Sequence, residues 1–117
     1  MQVTIYHNPR CSKSRDTLAL LEARGIAPRV IEYLKTPPDA ATLDKLLTLL
    51  KLQPRELMRR KEAEYSLLGL DKPELTRNEL IAAMLATPRL IERPIVVVDD
   101  QRAVIGRPPE AILSLFV

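Results

Sequence analysis

The first 33 residues predict a βαβ unit, and this unit limits the folds that are open to the chain. Residues 3–6 form a short β-rich run that ends at an Asn-Pro pair, which breaks regular structure. A helical pattern begins at Ser12 and is closed by Gly25, and residues 30–33 form a second β-rich run. A connection of this length makes the two strands parallel and the crossover right-handed.

The middle of the chain, residues 38–87, predicts helices only. Four leucines at spacing i, i+3, i+4 and i+7 place one apolar face on the first of these helices: Leu43, Leu46, Leu47 and Leu50. Shorter helices are predicted over residues 54–60 and 61–68. Residues 76–79, with the sequence TRNE, have the form of a capping box at the start of a fourth helix. This segment therefore reads as a helical insertion.

The last 25 residues predict two antiparallel strands and a terminal helix. Residues 95–98 and 103–105 are the strands, separated by a polar turn, and the prolines at 108 and 109 suit a helix start. The order is βαβ, helices, then ββα. It predicts a single α/β domain over residues 1–117, with a thioredoxin-like fold and a helical insertion between its N-terminal and C-terminal units.

The candidate chemistry lies in residues 7–15, HNPRCSKSR, which hold the only cysteine and the only histidine of the chain. Cys11 falls between a strand and a helix, where free backbone N–H groups and the helix dipole favour an anion. Arg10, Lys13 and Arg15 add positive charge, and His7 is a further candidate. A lone cysteine is often only a small buried hydrophobe, but this setting predicts a reactive thiolate.

Composition excludes several other classes of function. The net charge is +3 and aromatic residues make up 3%, which argues against nucleic-acid binding, because that normally needs a basic stripe with stacking aromatics. No apolar run is long enough to cross a bilayer, so no membrane partner is expected. With one cysteine no disulfide can form within the chain, and we expect a cytoplasmic protein. Position 14 is Ser where a dithiol oxidoreductase has its second Cys, so electrons must come from an external thiol.

The chain resembles the glutaredoxin-coupled arsenate reductases of the ArsC-type family, with its greatest similarity to the YfgD-type branch. The resemblance is carried by residues 7–15, by Tyr65 with Leu68, Gly69 and Leu70, by residues 92–97 (ERPIVV) and by residues 106–110 (GRPPE). These segments stand in family order and near family spacing, over essentially the whole chain.

The resemblance implies roles for named residues. Cys11 is the implied nucleophile, and three arginines are implied to hold the oxyanion: Arg93, Arg107 and Arg59, with Arg60 as the alternative to Arg59. His7, Ser14 and Arg15 are implied to tune the thiolate. In thioredoxin-type folds the proline before the third strand is commonly cis, so a cis bond is predicted between Arg93 and Pro94.

The resemblance also implies the reaction. Cys11 attacks bound arsenate to give a covalent adduct, glutathione attacks next as a co-substrate, glutaredoxin collects the glutathione, and arsenite leaves. No bound cofactor and no metal are expected.

Two other functions stay open at this point. Spx-type regulators, which bind RNA polymerase, share the general plan, although many carry a Cys-x-x-Cys switch that is absent from CSKS. A monothiol glutaredoxin-like oxidoreductase, acting on glutathione mixed disulfides, is the other alternative.

Overall fold

The computed structural model describes residues 1–116. Its strands are β1 (Val3–His7), β2 (Arg29–Glu32), β3 (Ile95–Val98) and β4 (Arg102–Ile105). Its α-helices are α1 (Ser12–Ala23), α2 (Ala40–Leu50), α3 (Ala63–Leu67) and α4 (Arg77–Ala86). Three 3-10 segments cover Pro54–Leu57, Pro88–Leu90 and Pro109–Phe116.

The strands form one sheet in the order β2-β1-β3-β4. β1 is parallel to β2, with Tyr6 opposite Ile31, and antiparallel to β3, with Ile5 opposite Val96. β3 and β4 are antiparallel, as predicted from the polar turn between them. The βαβ unit and the antiparallel β3–β4 pair are therefore confirmed, and with them the thioredoxin-like α/β fold.

Within residues 1–116 the contacts divide the chain into two compact units. The first comprises residues 1–36 and the residues from 93 onward, and the second comprises residues 37–92, which include the predicted insertion of 38–87. The single-domain organisation stays a prediction.

The first unit is built around the sheet. Its apolar core consists of Val3, Ile5, Leu21, Val96, Val98, Ile112 and Leu115. α1 contributes Leu21 to this core and ends before Gly25, whose φ of 75° is in the left-handed region that glycine adopts without strain. The core thus contains residues from both sequence segments of the unit, 1–36 and 93 onward.

The second unit is helical. α2 begins at Asp39, whose side chain accepts a hydrogen bond from the backbone N–H of Thr42, and α4 begins with the predicted capping box of Thr76 and Glu79. α2 packs against α4. The leucines Leu43, Leu46 and Leu47 are buried, which agrees with the predicted apolar face.

Two predicted helices differ from the structure. Residues 54–60 form only one 3-10 turn, because the backbone N–H of Arg59 donates to the carbonyl of Leu90 at 2.7 Å and Met58 forms a β-bridge with Ile91. The terminal helix is 3-10 rather than α: Pro109, Ile112 and Leu115 are its buried residues, and a three-residue repeat matches the three residues per turn of a 3-10 helix.

None of the helices described in residues 1–116 has both the length and the apolar character that a bilayer crossing requires.

Candidate active site

Cys11 lies at the start of α1, where it is the N-cap residue with an extended backbone (φ −94°, ψ 124°). Its N–H donates to the carbonyl of Asn8 at 3.0 Å, and the side-chain oxygen of Asn8 accepts from the N–H of Arg10 at 3.0 Å. These two bonds close the loop between β1 and α1. The loop therefore places the sulfur where the first N–H groups of the helix are directed.

The Cys11 thiol has a pKa below its ordinary value. Burial raises the pKa, but hydrogen bonds from the backbone N–H groups of Ser14 and Lys13, together with the charge and a hydrogen bond of Arg93, outweigh burial. The thiolate is the reactive form of cysteine, so this environment increases the fraction of Cys11 that can act as a nucleophile.

Two arginines meet at this sulfur. Nη2 of Arg107 lies 3.7 Å from Sγ of Cys11, and Nε of Arg107 donates to the carbonyl of Arg93 at 2.8 Å. Arg93 is 9% exposed, and its guanidinium charge acts on the sulfur. Guanidinium groups bind tetrahedral oxyanions through paired N–H donors. The arrangement can therefore hold an oxyanion against a thiolate.

Both arginines stand before cis peptide bonds. The Arg93–Pro94 bond is cis, as predicted, and the Arg107–Pro108 bond is cis as well, which was not predicted.

Gly106 was missed by the sequence reasoning. Its N–H donates to the carbonyl of Pro94 at 2.9 Å, and a Cβ at this position would lie 2.5 Å from Oγ1 of Thr17 and 2.9 Å from Cγ of Pro94. Only glycine allows this approach of β4 to α1 and to Pro94. A glycine directly before an arginine that is a candidate ligand was the available signal.

His7 and Ser14 form a buried pair beside the sulfur. Nδ1 of His7 lies 2.6 Å from Oγ of Ser14, which also accepts from the N–H of Asn8 at 3.0 Å. Burial lowers the pKa of His7, with a raising effect from Glu32 and a further lowering effect from Arg15. The lowered pKa reduces the positive charge that His7 can add beside the sulfur. Ser14 acts on the sulfur through its backbone N–H, while its hydroxyl binds His7 and Asn8.

Arg15 supports the loop rather than contacting the sulfur in any hydrogen bond described for residues 1–116. Its Nη1 donates to the carbonyl of Pro9 at 3.0 Å. Arg10 and Lys13 are exposed on either side of Cys11. These three basic side chains add positive charge in the segment around Cys11, which favours an anionic ligand.

The two candidates for the third arginine have different partners. Arg59 is ion-paired with Glu62, whereas Nε of Arg60 donates to the carbonyl of Arg55 at 3.1 Å. Both belong to the unit of residues 37–92. The assignment of Arg59 as a ligand stays a prediction.

Comparison with known proteins adds the family. The sequence profile of the ArsC family matches residues 6–115. The chain belongs to the ArsC family. Within this family it is 55% identical over 115 residues to the YfgD protein of Escherichia coli K12, covering 97% of this chain and 96% of that protein. It is 48% identical over 116 residues to a protein of Neisseria meningitidis named arsenate reductase, covering 98% of both.

Comparison with solved structures gives the same family. A structure from Vibrio cholerae named arsenate reductase superposes with a TM-score of 0.94 at 53% identity, covering 97% of each chain. The ArsC relationship thus extends over the whole fold, including the segments that carry Cys11, Arg93 and Arg107.

Proposed function

We propose that this protein is an arsenate reductase that takes its electrons from glutathione and glutaredoxin. The observation that carries the proposal is the contact of Arg107 with the Cys11 sulfur, at 3.7 Å, beside the buried Arg93. The ArsC membership and the two relatives named arsenate reductase, at 48% and 53% identity, support the choice of substrate.

Substrate binding is the first step. Arsenate carries negative charge on a tetrahedral set of oxygens, as phosphate does, and Arg93 and Arg107 offer paired N–H donors to it. The family resemblance adds Arg59 as a third arginine. The same positive groups that favour the Cys11 thiolate also favour the anion, so nucleophile and substrate are stabilised together.

Covalent reduction follows. The Cys11 thiolate attacks arsenic, an arsenic–oxygen bond breaks, and the oxygen leaves as water after protonation. The thiolate of glutathione then attacks the Cys11 sulfur, the arsenic–sulfur bond breaks with its electron pair left on arsenic, and a Cys11–glutathione disulfide forms. A glutaredoxin thiolate then takes the glutathione as a mixed disulfide and frees the Cys11 thiolate. Over the cycle two thiols are oxidised to one disulfide, arsenic(V) becomes arsenic(III), and arsenite is released. The arginines stabilise the charge on the oxygens throughout.

An external second thiol is needed because Cys11 is the only cysteine. The lowered pKa of Cys11 increases the fraction of thiolate that can act as the nucleophile, while the reducing equivalents come from solution. This division of roles supports a thiol co-substrate over an internal dithiol mechanism.

The direct test is an assay with arsenate, glutathione and glutaredoxin, monitored through coupled NADPH oxidation. Wild type should turn over, and Cys11→Ser, which removes the sole thiol, should not. Equal inactivity of the two would overturn the proposal. Reduction of a glutathione mixed disulfide without arsenate would favour the glutaredoxin-like alternative, and capture of the RNA polymerase α subunit would favour the regulator.

A further inference from the structure

Gly106 is a buried residue that links the end of β4 to Arg107. Its N–H donates to the carbonyl of Pro94 at 2.9 Å, and the N–H of Arg107 donates to the carbonyl of Ile105 at 2.9 Å. The second bond closes a γ-turn centred on Gly106, a kind of turn that is common at strand ends. The direction in which the chain continues into Arg107 is therefore set at Gly106.

Gly106 is needed for space and not for its backbone angles. Its φ is not positive, unlike that of Gly25, so the backbone conformation does not require glycine. A Cβ at position 106 would, however, lie 2.5 Å from Oγ1 and 3.1 Å from Cγ2 of Thr17, and 2.9 Å from Cγ of Pro94. All three distances are shorter than an ordinary contact of about 3.5–4.0 Å between carbon atoms. A side chain at position 106 therefore forces these groups apart.

The two neighbours of Gly106 are both held in place. The hydroxyl of Thr17 donates to the carbonyl of Lys13 at 2.8 Å, one turn earlier in α1, and Thr17 is fully buried. The ring of Pro94 has no freely rotating bond, and Pro94 is buried as well. A displacement therefore falls on the end of β4 and on Arg107, which follows it.

The contacts of Arg107 are sensitive to such a displacement. Its Nε donates to the carbonyl of Arg93 at 2.8 Å, and its Nη2 lies 3.7 Å from Sγ of Cys11. A shift of about 1 Å takes both pairs of atoms beyond hydrogen-bond distance. These residues, with Gly106 and Thr17, all belong to the unit that is built around the sheet.

We propose that Gly106 is a positioning residue, which acts by packing without a side chain against Thr17 and Pro94. This packing places the Arg107 guanidinium at the Cys11 sulfur. The inference rests on the proposed function, in which Arg107 binds arsenate while Cys11 attacks it. Gly106 acts through Arg107 and not by contact with the substrate.

The first test measures kcat/KM for arsenate. Gly106→Ala should lower it about 30-fold, because a displaced Arg107 no longer meets the substrate in the productive place. Adding Thr17→Ala removes the atoms at 2.5 and 3.1 Å and should recover about tenfold of that loss. Adding Thr17→Ser keeps Oγ1, the nearest atom, and should recover less than about twofold. In an Arg107→Ala background, Gly106→Ala should cost less than about twofold, since Gly106 acts through Arg107.

The second test needs no arsenate. Iodoacetate carries a negative charge and iodoacetamide carries none, and both alkylate the same Cys11 thiolate. The ratio of their rate constants, which we call the alkylation ratio, therefore reports the positive charge beside the sulfur and not the fraction of thiolate. Gly106→Ala and Arg107→Ala should each lower the alkylation ratio about threefold. Adding Thr17→Ala to Gly106→Ala should restore most of it.

The matched control is Gly25→Ala, at the other end of α1. The φ of Gly25 is 75°, which strains any other residue, but a Cβ there meets no atom within 4 Å. This variant should lower the midpoint of urea unfolding, as Gly106→Ala should, but leave kcat/KM and the alkylation ratio at the wild-type values. Thr17→Ala alone should stay within about twofold of wild type in both, since Arg107 keeps its place.

The outcomes separate this inference from the proposed function. If Gly106→Ala folds and keeps either kcat/KM or the alkylation ratio of an active wild type, the positioning role is wrong and the reductase proposal stands. A loss that Thr17→Ala does not relieve, or that is equally large in the Arg107→Ala background, also overturns the positioning role. If wild type is inert toward arsenate but Gly106→Ala lowers the alkylation ratio, the proposed function fails and the positioning of Arg107 stands. An inert wild type with an unchanged ratio overturns both.

Gly106→Ala is also the variant most at risk of not folding. In that case the double variant Gly106→Ala, Thr17→Ala gives the decision. Its remaining contact with Pro94, at 2.9 Å, should still lower kcat/KM about threefold relative to Thr17→Ala alone. No difference between these two variants would overturn the inference.

Discussion

Helices α1 and α4 begin with the same set of free backbone N–H groups but use them differently. At α4, Thr76 accepts from the N–H of Glu79 and the Glu79 carboxylate accepts from the N–H of Thr76. At α1 the N-cap residue is Cys11, no acidic residue lies in the first turn, and the N–H groups of Ser14 and Lys13 act on sulfur. One helix start is closed by side chains for stability, and the other is left to a reactive anion.

The two starts also lower the pKa of the acid that they hold. Hydrogen bonding by Thr76 lowers the pKa of Glu79, which is fully exposed, and the helix start with Arg93 lowers the pKa of Cys11 despite burial. A helix start therefore stabilises whichever anion is placed there. At α1 the group placed there is the Cys11 thiol, and Arg93 and Arg107 from distant segments lie beside it.

The largest expected effect comes from turning the α1 start into an ordinary cap. Cys11→Ser should abolish arsenate reduction, since the nucleophile is lost. At acid pH, where the wild-type thiol is neutral, it should also raise the free energy of unfolding by about 0.5–1 kcal/mol, because Ser is a favoured N-cap. Coupled NADPH oxidation and urea unfolding measure the two. If Cys11→Ser keeps arsenate reduction, or if its free energy of unfolding falls at acid pH, the start of α1 does not differ from that of α4 in the way described.

Arg107→Ala should have the next largest effect. The loss of one charged donor from the anion site should lower kcat/KM for arsenate about 100-fold. Arg107→Lys keeps the charge but not the paired donors, and should recover only part of the loss. Circular dichroism would show that both variants keep the fold. If kcat/KM of Arg107→Ala equals that of wild type, Arg107 does not contribute to arsenate binding or reduction.

Arg93→Ala should raise the pKa of Cys11, because the charge and hydrogen bond of Arg93 lower it. The fraction of thiolate at pH 7 then falls, and so does the rate of alkylation by iodoacetamide, measured across pH. Because the pKa of Cys11 is lower in the folded than in the unfolded protein, the thiolate stabilises the fold above the unfolded pKa, and this stabilisation is lost as pH falls through the folded pKa. Since Arg93→Ala raises the folded pKa of Cys11 toward its unfolded pKa, this contribution to the free energy of unfolding should become smaller. Arg24→Ala, at the other end of α1, is the control and should leave the alkylation profile unchanged.

Thr76→Ala should have the smallest effect. It removes the side-chain cap of α4, so the free energy of unfolding should fall by about 1 kcal/mol, as measured by urea unfolding. Arsenate reduction by the folded protein should not change. A drop in kcat comparable to that of Arg107→Ala would mean that α4 contributes to the reaction as well as to stability.

Local signals were enough to predict most of the fold. The βαβ unit, the strand pair β3–β4 and the capping box at Thr76 each depend on residues close together in the sequence, and each is present. Residues 54–60 were different. Their helical pattern gave way to a bond between Arg59 and Leu90, a partner 31 positions away that no local pattern indicates.

The site was predicted in part. The place of Cys11 at a helix start followed from the order of strand, Asn-Pro pair and helix. The contact of Arg107 with Cys11 joins residues 96 positions apart, and only the family resemblance pointed to it. The lowered pKa of His7 could not be predicted, because it depends on burial, which the sequence does not state.

The hydrogen bond from Nε of Arg107 to the carbonyl of Arg93 couples the side chain of one arginine to the backbone of the other. Truncation of Arg107 therefore removes a charge and also releases the main chain that carries its neighbour. The effects of losing Arg93 and Arg107 on kcat/KM should therefore not be independent. The loss in the double variant should be smaller than the product of the two single losses.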